Sequence, residues 1–85
     1  MKIFVHKLIK TCGACPTQWE GETSDGDDVY IRYRWGYLSV RINNEEIFGV
    51  QLSDNLDGYL EYDELKKQIN SFMIIPFYET SEIDW

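Results

Sequence analysis

The chain is poor in the residues that build most recognisable sites. It has two cysteines and one histidine in 85 residues. Two cysteines without a secretion signal fit a reducing setting in which thiols persist, so a cytoplasmic location is expected. His6 has no serine or cysteine set beside it by a known motif, and no glycine-rich phosphate cradle is present. The expectation is therefore a protein that is not an enzyme. No apolar run approaches the roughly 20 residues of a membrane span. The opening "KIFVHKLIK" alternates charge into its apolar part and lacks a small-residue cleavage site, so it is not read as a signal peptide.

Positive charge is also scarce. Eight Lys and Arg face fifteen Asp and Glu, for a net charge of −7 and a pI near 4.5. Direct nucleic-acid binding relies on neutralising phosphates with basic side chains, and this balance opposes it. It equally opposes attraction to an anionic membrane. A basic partner surface is the natural complement.

What the chain does have is aromatic bulk. Six Tyr, four Phe and three Trp make 15% of the residues, and 44% are apolar. Large aromatic side chains bury much area each, which suits a domain near the lower size limit for a single core. The chain shows no internal repeat or linker.

The pattern is mainly that of strands. Lys2 to Ile9 reads as an opening strand, interrupted by "TCGACP". "QWEGET" and "VYIRYRW" flank a three-residue turn at Ser24-Asp25-Gly26, with Gly26 supplying the left-handed conformation. A second hairpin turns at Trp35-Gly36, and Asn43-Asn44 marks a third turn before the strand "EIFGVQL". Asp63 to Ser71 is the one helix, with Tyr62, Leu65, Ile69 and Phe72 at helical spacing. "FMIIPF" reads as a short strand stopped by Pro76. The fold class is α+β: a small twisted antiparallel meander with one helix of the C-terminal half packed on it. Residues 1–78 form a single domain, and 79–85 form an acidic, aromatic tail.

Turn placement fixes which way side chains face. A two-residue turn at Trp35-Gly36 pairs Arg34 with Tyr37, Arg32 with Ser39 and Tyr30 with Arg41. One face then carries Tyr30, Arg32, Arg34, Tyr37, Ser39 and Arg41, which includes every arginine of the chain. The other carries Val29, Ile31, Tyr33, Leu38, Val40 and Ile42, a core face. Continuing through the first turn sets Trp19 opposite Ile31 in the core layer and Gln18, Glu20 and Glu22 on the arginine face. Two readings stay open. The arginines pair with Glu20 and Glu22 across the sheet, or they form a Tyr/Arg recognition surface for a partner, a small ligand or a nucleotide.

"SDNLDGYLEYDEL" has the spacing of a calcium loop. With Gly58 at its sixth position, Ser53, Asn55 and Asp57 take the first, third and fifth places. Tyr59 offers its carbonyl and Glu64 is the bidentate twelfth residue. This stretch resembles an EF-hand loop, which implies a weak calcium site. Ser53 in place of Asp and a strand-like "EEIFGVQL" before the loop depart from that pattern. The other reading is a turn at Asp57-Gly58, a short strand "YLEY" and a helix capped by Asp63. Cys12 and Cys15 have C-x-x-C spacing and resemble the thioredoxin-type redox motif. That chemistry needs a helix after the second cysteine, whereas "PTQWEGET" reads as strand. As a zinc site the pair is half a set, weak unless a homodimer completes it.

The block "CPTQWEGETSDGDDVYIRYRWGYLSVRI" resembles small uncharacterised proteins of bacteria and phages. That resemblance implies a free-standing single domain and brings no activity with it. The expected function is docking on a larger protein or nucleoprotein with a basic surface, as an anti-CRISPR-like counter-defence protein or an immunity-type inhibitor. The carboxylates of Asp54, Asp57, Glu61, Glu79, Glu82 and Asp84 are the candidate contacts, on a monomer or homodimer. The alternative site is the face of Tyr30, Arg32, Arg34, Tyr37 and Arg41. A metal-responsive domain using the Ser53–Glu64 loop or the cysteines is a third class.

Overall fold

Each hairpin signal in the sequence becomes a turn in the structure. The computed structural model describes residues 2–13, 17–52, 59–76 and 80–81. Five strands follow one another in an antiparallel meander: β1 (Ile3–Cys12), β2 (Thr17–Thr23), β3 (Asp28–Arg34), β4 (Tyr37–Ile42) and β5 (Glu45–Gln51). Helix α1 (Tyr62–Ile69) comes next, then the two-residue strands β6 (Met73–Ile74) and β7 (Thr80–Ser81). The sheet order is β5-β4-β3-β2-β1-β6, with β7 also pairing with β1.

The registers are those that turn placement demands. Gly26 takes φ +91°, and its N–H donates to Thr23 O over 3.0 Å. Trp19 lies opposite Ile31 and Glu20 opposite Tyr30. Arg34 pairs with Tyr37, Arg32 with Ser39 and Tyr30 with Arg41. The expected core face is the core: Val29, Ile31, Tyr33, Leu38 and Val40 are buried, and Ile42 packs against them. Trp19 is wholly buried among them.

Two features differ from an all-antiparallel sheet. Both β6 and β7 run parallel to β1. The chain returns to β1 by way of a helix, and a helical crossover is the connection that permits a parallel neighbour. β7 comes from the stretch 79–85. The second feature is a register shift in β1 between Val5 and Lys7. It lets Val5 and Leu8, three apart, both enter the core, which strict alternation forbids.

Helix α1 starts one residue earlier than its charge pattern suggests. Glu61, at the N-cap position, is extended and makes no side-chain cap, so Asp63 lies in the first turn instead of capping it. The short strand expected at "YLEY" is absent, because Tyr62 belongs to the helix. Packing decides this. Tyr62 completes the buried stripe with Leu65 and Ile69, its ring centroid is 6.4 Å from that of Trp19, and its hydroxyl donates to Pro76 O at 2.6 Å. Asp63 and Glu64 at the start and Lys66 and Lys67 at the end complement the helix dipole. Phe72, just past the helix, meets Phe48 of β5 at 5.0 Å. Among the described residues no helix is long and apolar enough to cross a membrane.

Candidate recognition face

With one side of the sheet occupied by the core and α1, the other side carries polar side chains from β1 to β5. Alternation puts Arg32 and Arg34 of β3 and Tyr37, Ser39 and Arg41 of β4 there. On one strand the two arginines stand about 7 Å apart at the Cα, two residues along a pleat. Arg32 and Arg41 are diagonal neighbours across the β3–β4 ladder, about 7–8 Å apart. Together with Trp35, Glu46 and Gln51 these residues line a shallow groove of about 530 Å³.

Cross-strand pairing of the arginines with Glu20 and Glu22 does not occur. Among the described residues no arginine comes within ion-pair distance of a carboxylate, and Glu22 Oε1 instead meets His6 Nε2 at 2.8 Å. Register explains it: Glu22 lies opposite Asp28 and Glu20 opposite Tyr30, while Arg32 lies opposite Gln18. The Tyr30 hydroxyl donates to Gln18 Oε1 at 2.8 Å, and Gln18 Nε2 reaches Thr11 Oγ1 and Glu20 Oε2 at 3.2 and 3.4 Å. This uncharged seam divides the face. On one side Glu20, Glu22 and Asp28 gather round Lys7; on the other are the three arginines. Arg32 Nε, like Trp19 Nε1 in the core, is buried with no hydrogen-bond partner, a costly state for a polar N–H.

Three groove residues escaped the alternation argument. Glu46 reaches the face because a register shift between Val40 and Arg41 bulges β5 and sets Glu46 opposite Arg41. Gln51, opposite Tyr37, donates from Nε2 to Trp35 O at 3.0 Å. The Tyr37 hydroxyl donates to Glu46 Oε2 at 3.2 Å. Partial burial, then the charge of Glu46, then this hydrogen bond hold the Tyr37 phenol above its ordinary pKa of 10.0.

Trp35 is the third, and its backbone carries the signal. It sits at the hairpin turn with φ 55°, followed by Gly36 at φ 76°. A two-residue turn of this kind wants Asn-Gly, since both positions need positive φ. The next hairpin obeys the rule with Asn43 and Asn44 at φ 51° and 71°. A bulky residue there is an outlier, costing roughly 1–2 kcal/mol. Its indole is not buried in return: Trp35 is 59% exposed. Its described ring contact is with Arg34, whose guanidinium lies 4.4 Å from the ring centroid. The dipeptide Trp-Gly at a position that favours Asn-Gly was visible in the sequence.

The other candidates are placed less completely. Of the acidic set, Glu61 is exposed just before α1; Asp54, Asp57, Glu79, Glu82 and Asp84 lie outside the described residues. So do Ser53, Asn55 and Cys15. Tyr59 is exposed, with Lys10 Nζ 5.9 Å from its ring, and Glu64 accepts from Gln68 Nε2 at 2.8 Å within α1. The element before the calcium-like stretch is β5, where an EF-hand has a helix. Cys12 ends β1, half-buried, and strand β2 begins at Thr17, where the redox motif needs a helix. Among the described residues no three His, Cys, Asp or Glu side chains come together as metal ligands.

No protein-family profile, curated protein or solved structure matches the chain.

Proposed function

We propose that this chain is a non-catalytic binding protein whose recognition surface is the arginine face of the sheet, taking an anionic group. One observation carries the reading. The chain's arginines share a groove in which none has a carboxylate of the described residues within ion-pair distance. A solvated sheet face in a chain of net charge −7 has carboxylates to spare for pairing, yet Glu20 and Glu22 lie beyond the Tyr30–Gln18 seam, and Glu46, opposite Arg41, accepts from the Tyr37 hydroxyl instead. Arg offers a planar fork suited to carboxylate and phosphate oxygens, and Trp, Tyr and Arg are the residues that dominate recognition surfaces.

A second reading is favoured by the overall charge. The acidic clusters, Glu61 among them, dock on the basic surface of a larger cytoplasmic protein or nucleoprotein, as a counter-defence or immunity-type inhibitor does. The two readings predict opposite probes. In a two-dimensional NMR titration, the arginine reading requires that inorganic phosphate and a poly-glutamate peptide shift the side-chain Nε–H signals of Arg32, Arg34 and Arg41. If those signals stay still while a poly-lysine peptide shifts the amides around Glu61 and Asp63, the acidic surface is the site and the arginine reading fails.

A further inference from the structure

We infer that the groove is a nucleotide site, with a phosphate held by Arg32 and Arg41 and the base laid on the indole of Trp35. This rests on the arginine face being the recognition surface and names what it takes.

Charge selects the anion. Three guanidinium groups against the single carboxylate of Glu46 leave the groove lining with a local formal charge of +2. A phosphate monoester carries about −1.5 to −2 at neutral pH and offers three acceptor oxygens. A lone carboxylate matches half that charge and fills one fork. Arg32 and Arg41, diagonal neighbours across the β3–β4 ladder in the groove lining, can turn their guanidinium forks to such oxygens. Glu46 is in turn engaged by the Tyr37 hydroxyl, which draws part of its charge away from the anion.

Trp35 selects what the phosphate is attached to. A large exposed indole occupies a left-handed turn position where Asn serves in the neighbouring hairpin. Backbone strain retained at a groove's lip points to a role for the side chain it presents. An exposed indole beside phosphate-binding arginines is a stacking platform for a base, an interaction tolerant of base identity. Size agrees: about 530 Å³ lies within the few hundred to roughly 1,000 Å³ of small-ligand sites. An extended peptide draws affinity from backbone pairing at a sheet edge, whereas this groove lies on the face and offers side chains.

The test is NMR titration of the intact chain with adenosine monophosphate, ribose 5-phosphate, adenosine and a poly-glutamate peptide. Adenosine monophosphate should shift both the Trp35 indole N–H and the arginine Nε–H signals. Trp35→Asn, which suits the turn, should weaken adenosine monophosphate about fivefold or more and leave ribose 5-phosphate unchanged. Arg32→Lys with Arg41→Lys keeps the charge but removes the forks; it should weaken both phosphates about tenfold or more. The proposal is overturned if ribose 5-phosphate binds as tightly as adenosine monophosphate, if adenosine binds as tightly, or if poly-glutamate displaces the nucleotide. Where the arginine signals still respond to ribose 5-phosphate or poly-glutamate in those cases, the broader reading survives. Silence of the arginine signals to every anion sinks both.

Discussion

The phenol of Tyr37 lies in the space that a side chain at Gly49 would fill. A Cβ built on Gly49 runs into the Tyr37 hydroxyl, and Glu46 Oε2 is 3.1 Å from the same point. The two residues are diagonal neighbours, since Ser39 pairs with Gly49 and Tyr37 with Gln51. Glycine in β5 therefore lets the ring lie along the sheet and reach Glu46, forming one wall of the arginine groove. The obstacle at Gly49 is the end of a side chain, not backbone, so Gly49→Ala is expected to fold. It should swing Tyr37 away from Glu46, cost about 1 kcal/mol or less, and shift the Arg41 side-chain signals in an NMR spectrum.

The same hydrogen bond sets a pH dependence. The Tyr37 pKa is raised above 10.0, so the stabilising donor form is fully present below the ordinary phenol range. Its contribution is lost as pH rises through the elevated value, when a phenolate forms beside the Glu46 carboxylate. Comparison of urea denaturation for the wild type and Tyr37→Phe from about pH 7 to about pH 11 should show the wild-type advantage vanishing at the alkaline end. An advantage that stays constant with pH would mean the hydroxyl does not interact with Glu46.

Gly21 is a stricter case. It pairs with Leu8, and a Cβ there meets Lys7 O and the Leu8 Cα, both backbone. Backbone cannot step aside without breaking the β1–β2 ladder. Gly21→Ala is expected to cost about 2–3 kcal/mol, at the upper end of overpacking penalties. Thermal denaturation measures it, and a loss near that of Gly49→Ala would show β1 and β2 to be further apart than described.

Most of the sheet was legible because its turns were. Three turn signals, at Gly26, Trp35-Gly36 and Asn43-Asn44, marked the hairpins, the first two set registers, and alternation then sorted core from surface with Trp19 and Ile31 opposite each other. Wherever a bulge breaks the period of two, the reading stops. The shifts near Val5 and near Val40 decide that Leu8 is buried and that Glu46 joins the arginine face, and no residue pattern announces either. The helix start failed for a different reason: Tyr62 was drawn in by Trp19 and Pro76, partners remote in sequence. Alternation left charge pairing open because facing is not contact; Glu20 shares the arginine face yet reaches Gln18.

The calcium-like spacing makes a further prediction. An EF-hand holds its loop between two helices, and here strand β5 precedes it. Calcium affinity is expected to be no tighter than the millimolar range of poor sites, with Glu64→Gln having little effect. Calorimetry giving micromolar affinity that Glu64→Gln abolishes would establish the loop as a site in its own right.

Trp35 permits a test in which stability and binding move apart. Replacing it by Asn removes a bulky residue from positive φ, a relief of roughly 1 kcal/mol, because Asn tolerates that conformation. The loss is the Arg34–Trp35 contact, about 0.5 kcal/mol when the ring is as exposed as this one. Strain relief is the larger effect, so Trp35→Asn should be neutral or stabilise the protein by about 0.5 kcal/mol. If it instead costs more than about 1 kcal/mol in urea denaturation, the indole is holding the fold together and its place in the turn has a structural cause. If stability holds or rises, the strained turn is maintained for what the exposed ring meets, and the groove beside Arg34 is where that contact is to be sought.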